Sequence, residues 1–147
     1  MNEQDRKLSF NDLCGRLPYD TNVSVRNGNG KYREDVILSP FHLAAFNIWD
    51  IKAYLRPMWS MTKEEATTLA TLWGFEDFTS VSVTDDCVLV FFEVEYGSEH
   101  AAIMFSDIVA SVDIFDYLNS IHADYRGLIP KGLALPAPEG MYDLKKG

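Results

Sequence analysis

At 147 residues the chain is sized for one domain rather than two. Apolar residues make up 47%, with nine Phe, seven Tyr and three Trp, which supplies a core and argues against a disordered chain. Thirteen Lys and Arg against 22 Asp and Glu leave a formal charge of -9, so a phosphate backbone is repelled while a basic partner is admitted.

Cys14 and Cys87 are the two cysteines, too few for a disulfide framework, and no CxxC pair points to zinc or redox work. The opening MNEQDRKLSF lacks the apolar core of a signal peptide. No stretch is long and apolar enough to span a membrane. A cytoplasmic location is the expectation. The longest run of basic residues is Lys145-Lys146, read as a solvated tail.

Residues 4–17 read as a helix. Phe10, Leu13, Cys14 and Leu17 share one face, and Pro18 stops it. Cys14 therefore reads as a small buried hydrophobe rather than a nucleophile, which would need a basic neighbour and exposure. Val23 and Val25 then alternate with polar residues, and Asn27-Gly28-Asn29-Gly30 favours a hairpin tip. A phosphate-binding loop is disfavoured, because the Gly-Lys-Ser/Thr ending is absent. Residues 35–38 return as a strand. Pro40 breaks the chain, and 42–56 reads as two short strands or as a helical turn plus an extended arm.

The next signal is sharper. Thr62 and Glu65 form a capping box before a helix over 63–73, whose buried face is Ala66, Leu69, Ala70 and Trp73. Glu64 and Glu65 suit the helix N-terminus, and Gly74 ends it. Residues 80–84, 87–96 and 100–105 read as an antiparallel meander, with turns at Asp85-Asp86 and Tyr96–Glu99. Glu93, Glu95 and Glu99 gather near one end and read as a solvated face. Asp113 caps a further helix over 114–122, with Val112 and Tyr117 as a hydrophobic staple and Gly127 as a stop. The fold class is α+β: an N-terminal hairpin and a meander over 80–105, packed on about three helices (4–17, 63–73 and 114–122). It forms a single compact domain over 1–147. Residues 123–147 form an extended Pro/Gly-rich segment packed on that domain, its φ angles restrained at Pro130, Pro136 and Pro138.

Candidate chemistry is sparse. His122 and Asp124 form an H-x-D pair that suits a metal or a general base, with His100 as a distant third group. That is the hydrolase or metal-enzyme reading. At a helix C-terminus, however, His122 also serves as a simple capping group. The favoured reading is a non-enzymatic accessory or protein-binding module. Its contact set is Tyr54, Arg56, Trp59, Tyr125 and Arg126, aromatic and Arg side chains being common interface anchors. His122 and Asp124 join them as binding candidates. No cofactor, resident metal or nucleic acid is expected, although Lys52, Arg56 and Lys63 would make a small basic patch. An immunity or anti-defence role by mimicry of an acidic polymer is a further alternative.

Three segments carry a resemblance: DLCGRLPY at 12–19, YLRPMWSMTKEE at 54–65 and LNSIHADYRGLIPKGLALPAPEGMY at 118–142. Together they resemble a family of small uncharacterised proteins of gut Bacteroides-type bacteria and their phages or prophages. The resemblance implies a bacterial or phage origin and a cytoplasmic setting, and it brings no activity with it.

Overall fold

The computed structural model describes residues 2–26, 32–108 and 111–142, with the side chains of 32–35, 49 and 107 left aside. The fold is α+β. The chain divides into two compact units, one of residues 1–56 with 126–147, the other of residues 57–125. The second is thus an insertion in the covalent order of the first.

The first unit opens with helix α1 (Glu3–Arg16), whose N-cap Asn2 accepts the Asp5 N–H at 2.8 Å. A 3-10 turn over Leu17–Tyr19 follows, led by Pro18. The buried face of α1 differs from the apolar stripe expected for it. Leu13 is buried, but its companions are Ser9, Asp12 and Arg16, while Cys14 and Phe10 are exposed. The buried face thus carries an ion pair between Asp12 and Arg16. Partial desolvation raises the Cys14 thiol pKa, the opposite of what a nucleophile needs.

Strands β1 (Asn22–Arg26) and β2 (Tyr32–Ile37) pair antiparallel. The expected hairpin tip at 27–30 lies outside the described residues, as does the Lys145-Lys146 tail. Pro40 opens rather than ends an element: it takes the first turn of α2 (Pro40–Ala45), where its missing N–H costs nothing. The Ser39 N–H donates to His42 Nδ1 at 3.0 Å, so histidine plays the role that Glu or Gln has in the usual capping box. A 3-10 turn leads to β3 (Ile51–Leu55), which pairs antiparallel with β1.

The C-terminal segment adds a strand that its prolines conceal. Leu128–Leu133 makes tight turns, with Leu133 N–H bonded to the Leu128 carbonyl at 3.0 Å. β7 (Ala134–Pro136) then runs parallel to β3, and Ala137 N–H adds a bond to the Leu55 carbonyl at 2.8 Å. The sheet order is β2-β1-β3-β7. Pro is tolerated because β7 is short and sits at the edge. Leu13, Val23, Val25, Ile51, Leu55, Leu128 and Leu133 form the core of this unit.

In the second unit, α3 (Lys63–Trp73) starts at the expected capping box. Glu65 N–H donates to Thr62 Oγ1 at 3.1 Å, and Thr62 N–H donates to Glu65 Oε1 at 2.9 Å. Gly74 closes it at φ +109°, a left-handed value that a side chain would resist. Strands β4 (Ser80–Val83), β5 (Cys87–Val94) and β6 (Gly97–Met104) form the antiparallel meander, in the order β4-β5-β6. Thr84 Oγ1 accepts the Cys87 N–H at 3.1 Å and so braces the Asp85-Asp86 turn. The second turn lies at Glu95-Tyr96, tighter than expected, so Ser98 and Glu99 belong to β6.

Helix α4 (Val112–Ser120) begins after Ser111, two residues earlier than expected. Asp113 sits inside its first turn, and Val112 is 72% exposed, so the Val112–Tyr117 staple does not form. Ile114 and Leu118 face the core with Leu69, Val88, Val90 and Ile103. Among the described residues no helix is long and apolar enough to cross a membrane.

Candidate functional site

The residues singled out in the sequence are mostly interior. Tyr54, Arg56 and Tyr125 are all buried, so they do not form an exposed contact patch. Tyr125 donates its hydroxyl to Asn119 Oδ1 at 3.0 Å and lies 5.3 Å from the Phe115 ring centroid, a core arrangement. Trp59 is 58% exposed, on the 3-10 turn Met58–Ser60.

His122 terminates α4. It adopts a left-handed φ of +61°, and its N–H donates to the Asn119 carbonyl at 3.0 Å. A non-glycine residue there is uncommon and costs about 1 kcal/mol. Asp124 is buried, and His100 stands exposed on β6. Among the described residues no three His, Cys, Asp or Glu side chains group closely enough to hold a metal ion, so His100, His122 and Asp124 do not form the ligand set considered for them.

Arg126 leads to a cluster that reading for apolar stripes misses. Asp12 and Arg16, one helical turn apart on α1, are both 0% exposed. Arg16 Nε donates to Asp12 Oδ2 at 2.8 Å, and Nη2 donates to Oδ1 at 3.1 Å, a forked pair. Arg126 Nη1 reaches the same Oδ1 at 3.4 Å, tying the returning chain to α1. The i, i+4 spacing of Asp12 and Arg16 was the available signal. Their complete burial depends on tertiary packing. Asp12 and Arg16 are buried and paired with each other while Arg126 is partly exposed, an arrangement that suits a structural pin.

A different kind of site emerges once charge is counted by unit. Residues 57–125 hold thirteen Asp and Glu against one basic residue, Lys63, for a formal charge of -12; the other segments hold nine acids and twelve Lys and Arg, for +3. The negative charge of the chain therefore belongs to the inserted unit. Among the described side chains ten of its acids are exposed, including Glu93, Glu95 and Glu99 around the β5–β6 tip.

The same unit carries an open strand edge. Among the described residues β6 pairs with β5 alone, over eight consecutive residue pairs without a bulge. Phe105 N–H bonds the Asp86 carbonyl at 2.9 Å, and Thr79 N–H bonds the Phe91 carbonyl at 2.8 Å. Antiparallel pairing alternates inward and outward groups. That parity turns the N–H and C=O of Ser98, His100, Ala102 and Met104 away from β5. All four residues are exposed.

Comparison with known protein families, curated proteins and solved structures finds no match. The resemblance of the three segments therefore brings no family assignment, and a functional reading has to stand on the chain's own charge and geometry.

Proposed function

We propose that the protein is a non-enzymatic binding module whose inserted acidic unit, residues 57–125, recognises a basic protein. The segregation of charge carries this reading: -12 on 69 residues against +3 on the remainder. A field of one sign over one unit raises the encounter rate with a cationic partner and repels polyanions. Exposed Trp59, Val94 and Tyr96 supply apolar contact beside those charges. Aromatic anchors with a charged surround are a common interface composition.

The acidic unit also suits competition with a nucleic acid for the basic surface of a third protein. That favours the anti-defence or immunity reading as a special case of the same chemistry. A bacterial or phage setting is compatible with it.

The test is fluorescence anisotropy of the full chain with three labelled probes: a lysine-rich peptide, its glutamate-rich counterpart and a DNA duplex. The reading expects the lysine-rich peptide to bind and the other two to remain free. Equal binding of all three, or binding of DNA alone, contradicts it.

A further inference from the structure

From the open edge of β6 we infer that the acidic unit takes its partner as an added β-strand: an extended segment, with Lys or Arg among its residues, pairs along Ser98–Met104. This rests on the reading of the unit as a binder of basic proteins and specifies where and how it binds.

Edge strands are normally blunted, because their unpaired N–H and C=O groups template association. The usual devices are Lys or Pro on the strand, a bulge, or a covering element. Among the described residues β6 lacks most of these: its sequence GSEHAAIM has neither Lys nor Pro, its register is unbroken and its residues other than Ala101 and Ile103 are exposed, while its one acidic side chain, Glu99, guards the edge against acidic strands and not against basic ones. The outward N–H and C=O groups of Ser98, His100, Ala102 and Met104 make a ladder of the spacing a strand requires.

Charge selects the occupant. β4, β5 and β6 contain no Lys or Arg. Glu93 lies on the Ser98 face of the sheet, Glu99 on the opposite face and Glu95 in the tip between the strands. An added strand alternates its side chains between both faces: on one face a basic residue is a direct neighbour of Glu99, and on the other a long Lys or Arg reaches over Ser98 toward Glu93, two strand spacings or about 10 Å away. Toward the other end, exposed Ala102 and Met104 accept apolar or neutral side chains. A second copy of this chain would bring another unit of -12 against the first, which the same charge opposes. Main-chain bonds supply affinity in such strand addition, and the alternating side chains supply selectivity.

The test uses the full chain and a synthetic peptide alternating lysine with threonine. Residue-resolved amide hydrogen exchange is followed with and without the peptide, beside anisotropy of the same peptide. The inference expects added protection at Ser98, His100, Ala102 and Met104, with little change at Glu99 and Ala101, whose N–H groups already face β5. Ala102→Pro removes one outward donor without removing a β5 bond, and is expected to weaken the peptide about tenfold or more. Peptide that binds without protecting those four amides overturns strand addition and leaves the acidic-module reading standing. Peptide that fails to bind overturns both. Protection of the same amides without peptide, growing with protein concentration, assigns the edge to a second copy and overturns the basic occupant. If Ala102→Pro does not fold, the exchange pattern of the unaltered chain decides alone.

Discussion

The hydroxyl of Tyr142 donates to the main-chain carbonyl of Tyr54 at 2.7 Å and accepts the N–H of Asn22 at 3.0 Å. Asn22 and Tyr54 are the next two residues in register after the last β1–β3 pair, Val23 with Ala53. The phenol therefore closes the ladder where the strands part, and it fastens the C-terminal segment to the sheet. Most of residues 122–142 serves this purpose: turns, one parallel strand and a tyrosine lock.

Tyr142→Phe keeps the ring and removes both bonds. It leaves a main-chain donor and acceptor poorly satisfied, and is expected to cost about 1–3 kcal/mol of unfolding free energy in denaturant titration. A change below about 0.3 kcal/mol would mean that water replaces the hydroxyl without loss.

Burial pushes the Tyr142 pKa up to about 12, while the Asn22 hydrogen bond and the Arg16 charge oppose the shift. A raised folded pKa means that the folded state holds its proton longer than the unfolded one. The stability linked to that proton is intact below about pH 10 and falls between pH 10 and 12, by on the order of 2 kcal/mol. The difference in stability between the unaltered chain and Tyr142→Phe should shrink across that window. A difference constant from pH 8 to 12 would contradict the linkage.

The Asp12–Arg16 pair gives a prediction with two arms. Removing Asp12, as in Asp12→Ala, strips the buried Arg16 of its carboxylate and is expected to cost about 3–5 kcal/mol, whereas Arg16→Ala leaves Asp12 its contact with Arg126 and is expected to cost less. Replacing both, as Asp12→Leu with Arg16→Met, is expected to restore most of that loss or to exceed the original stability, because neither charge then pays desolvation. Additive losses in the double variant, measured by chemical denaturation, would show that the site depends on charge rather than on filled volume.

Thr62→Ala tests the capping box in the inserted unit. Loss of the bond to Glu65 N–H should cost about 1 kcal/mol. Thr62→Asp should retain most of the stability, since a carboxylate accepts the same N–H and suits the helix N-terminus. Equal losses in the two variants, read from thermal unfolding, would argue that the threonine methyl rather than its hydroxyl matters.

Local signals were the legible ones. The Thr62–Glu65 box, Gly74, the Asp85-Asp86 turn and the meander all follow from residues within a few positions of one another. Long-range pairing was hidden. Ala134-Leu135-Pro136 looks like coil because its partner β3 lies some eighty positions upstream. The turn of α1 was hidden for a related reason: apolar spacing favours Phe10 and Cys14, whereas Asp12, Arg16 and Arg126 converge only after folding. Tyr54 and Tyr125 have the side chains of interface anchors, yet the same aromatic rings serve a core well, and Arg56 is buried beside the strand end it follows in sequence. The charge imbalance was written in the composition throughout. It became visible only when the inserted unit could be counted apart from its host.

The most direct test of the central claim is the affinity of the full chain for a lysine-rich peptide across a sodium chloride series, beside the variant Glu93→Gln, Glu95→Gln, Glu99→Gln. These carboxylates are exposed and make no helix cap, so their loss should leave folding intact. The account predicts that affinity falls as salt rises, and that at low salt the variant binds about tenfold or more weakly. Affinity unchanged in the variant and insensitive to salt would contradict it.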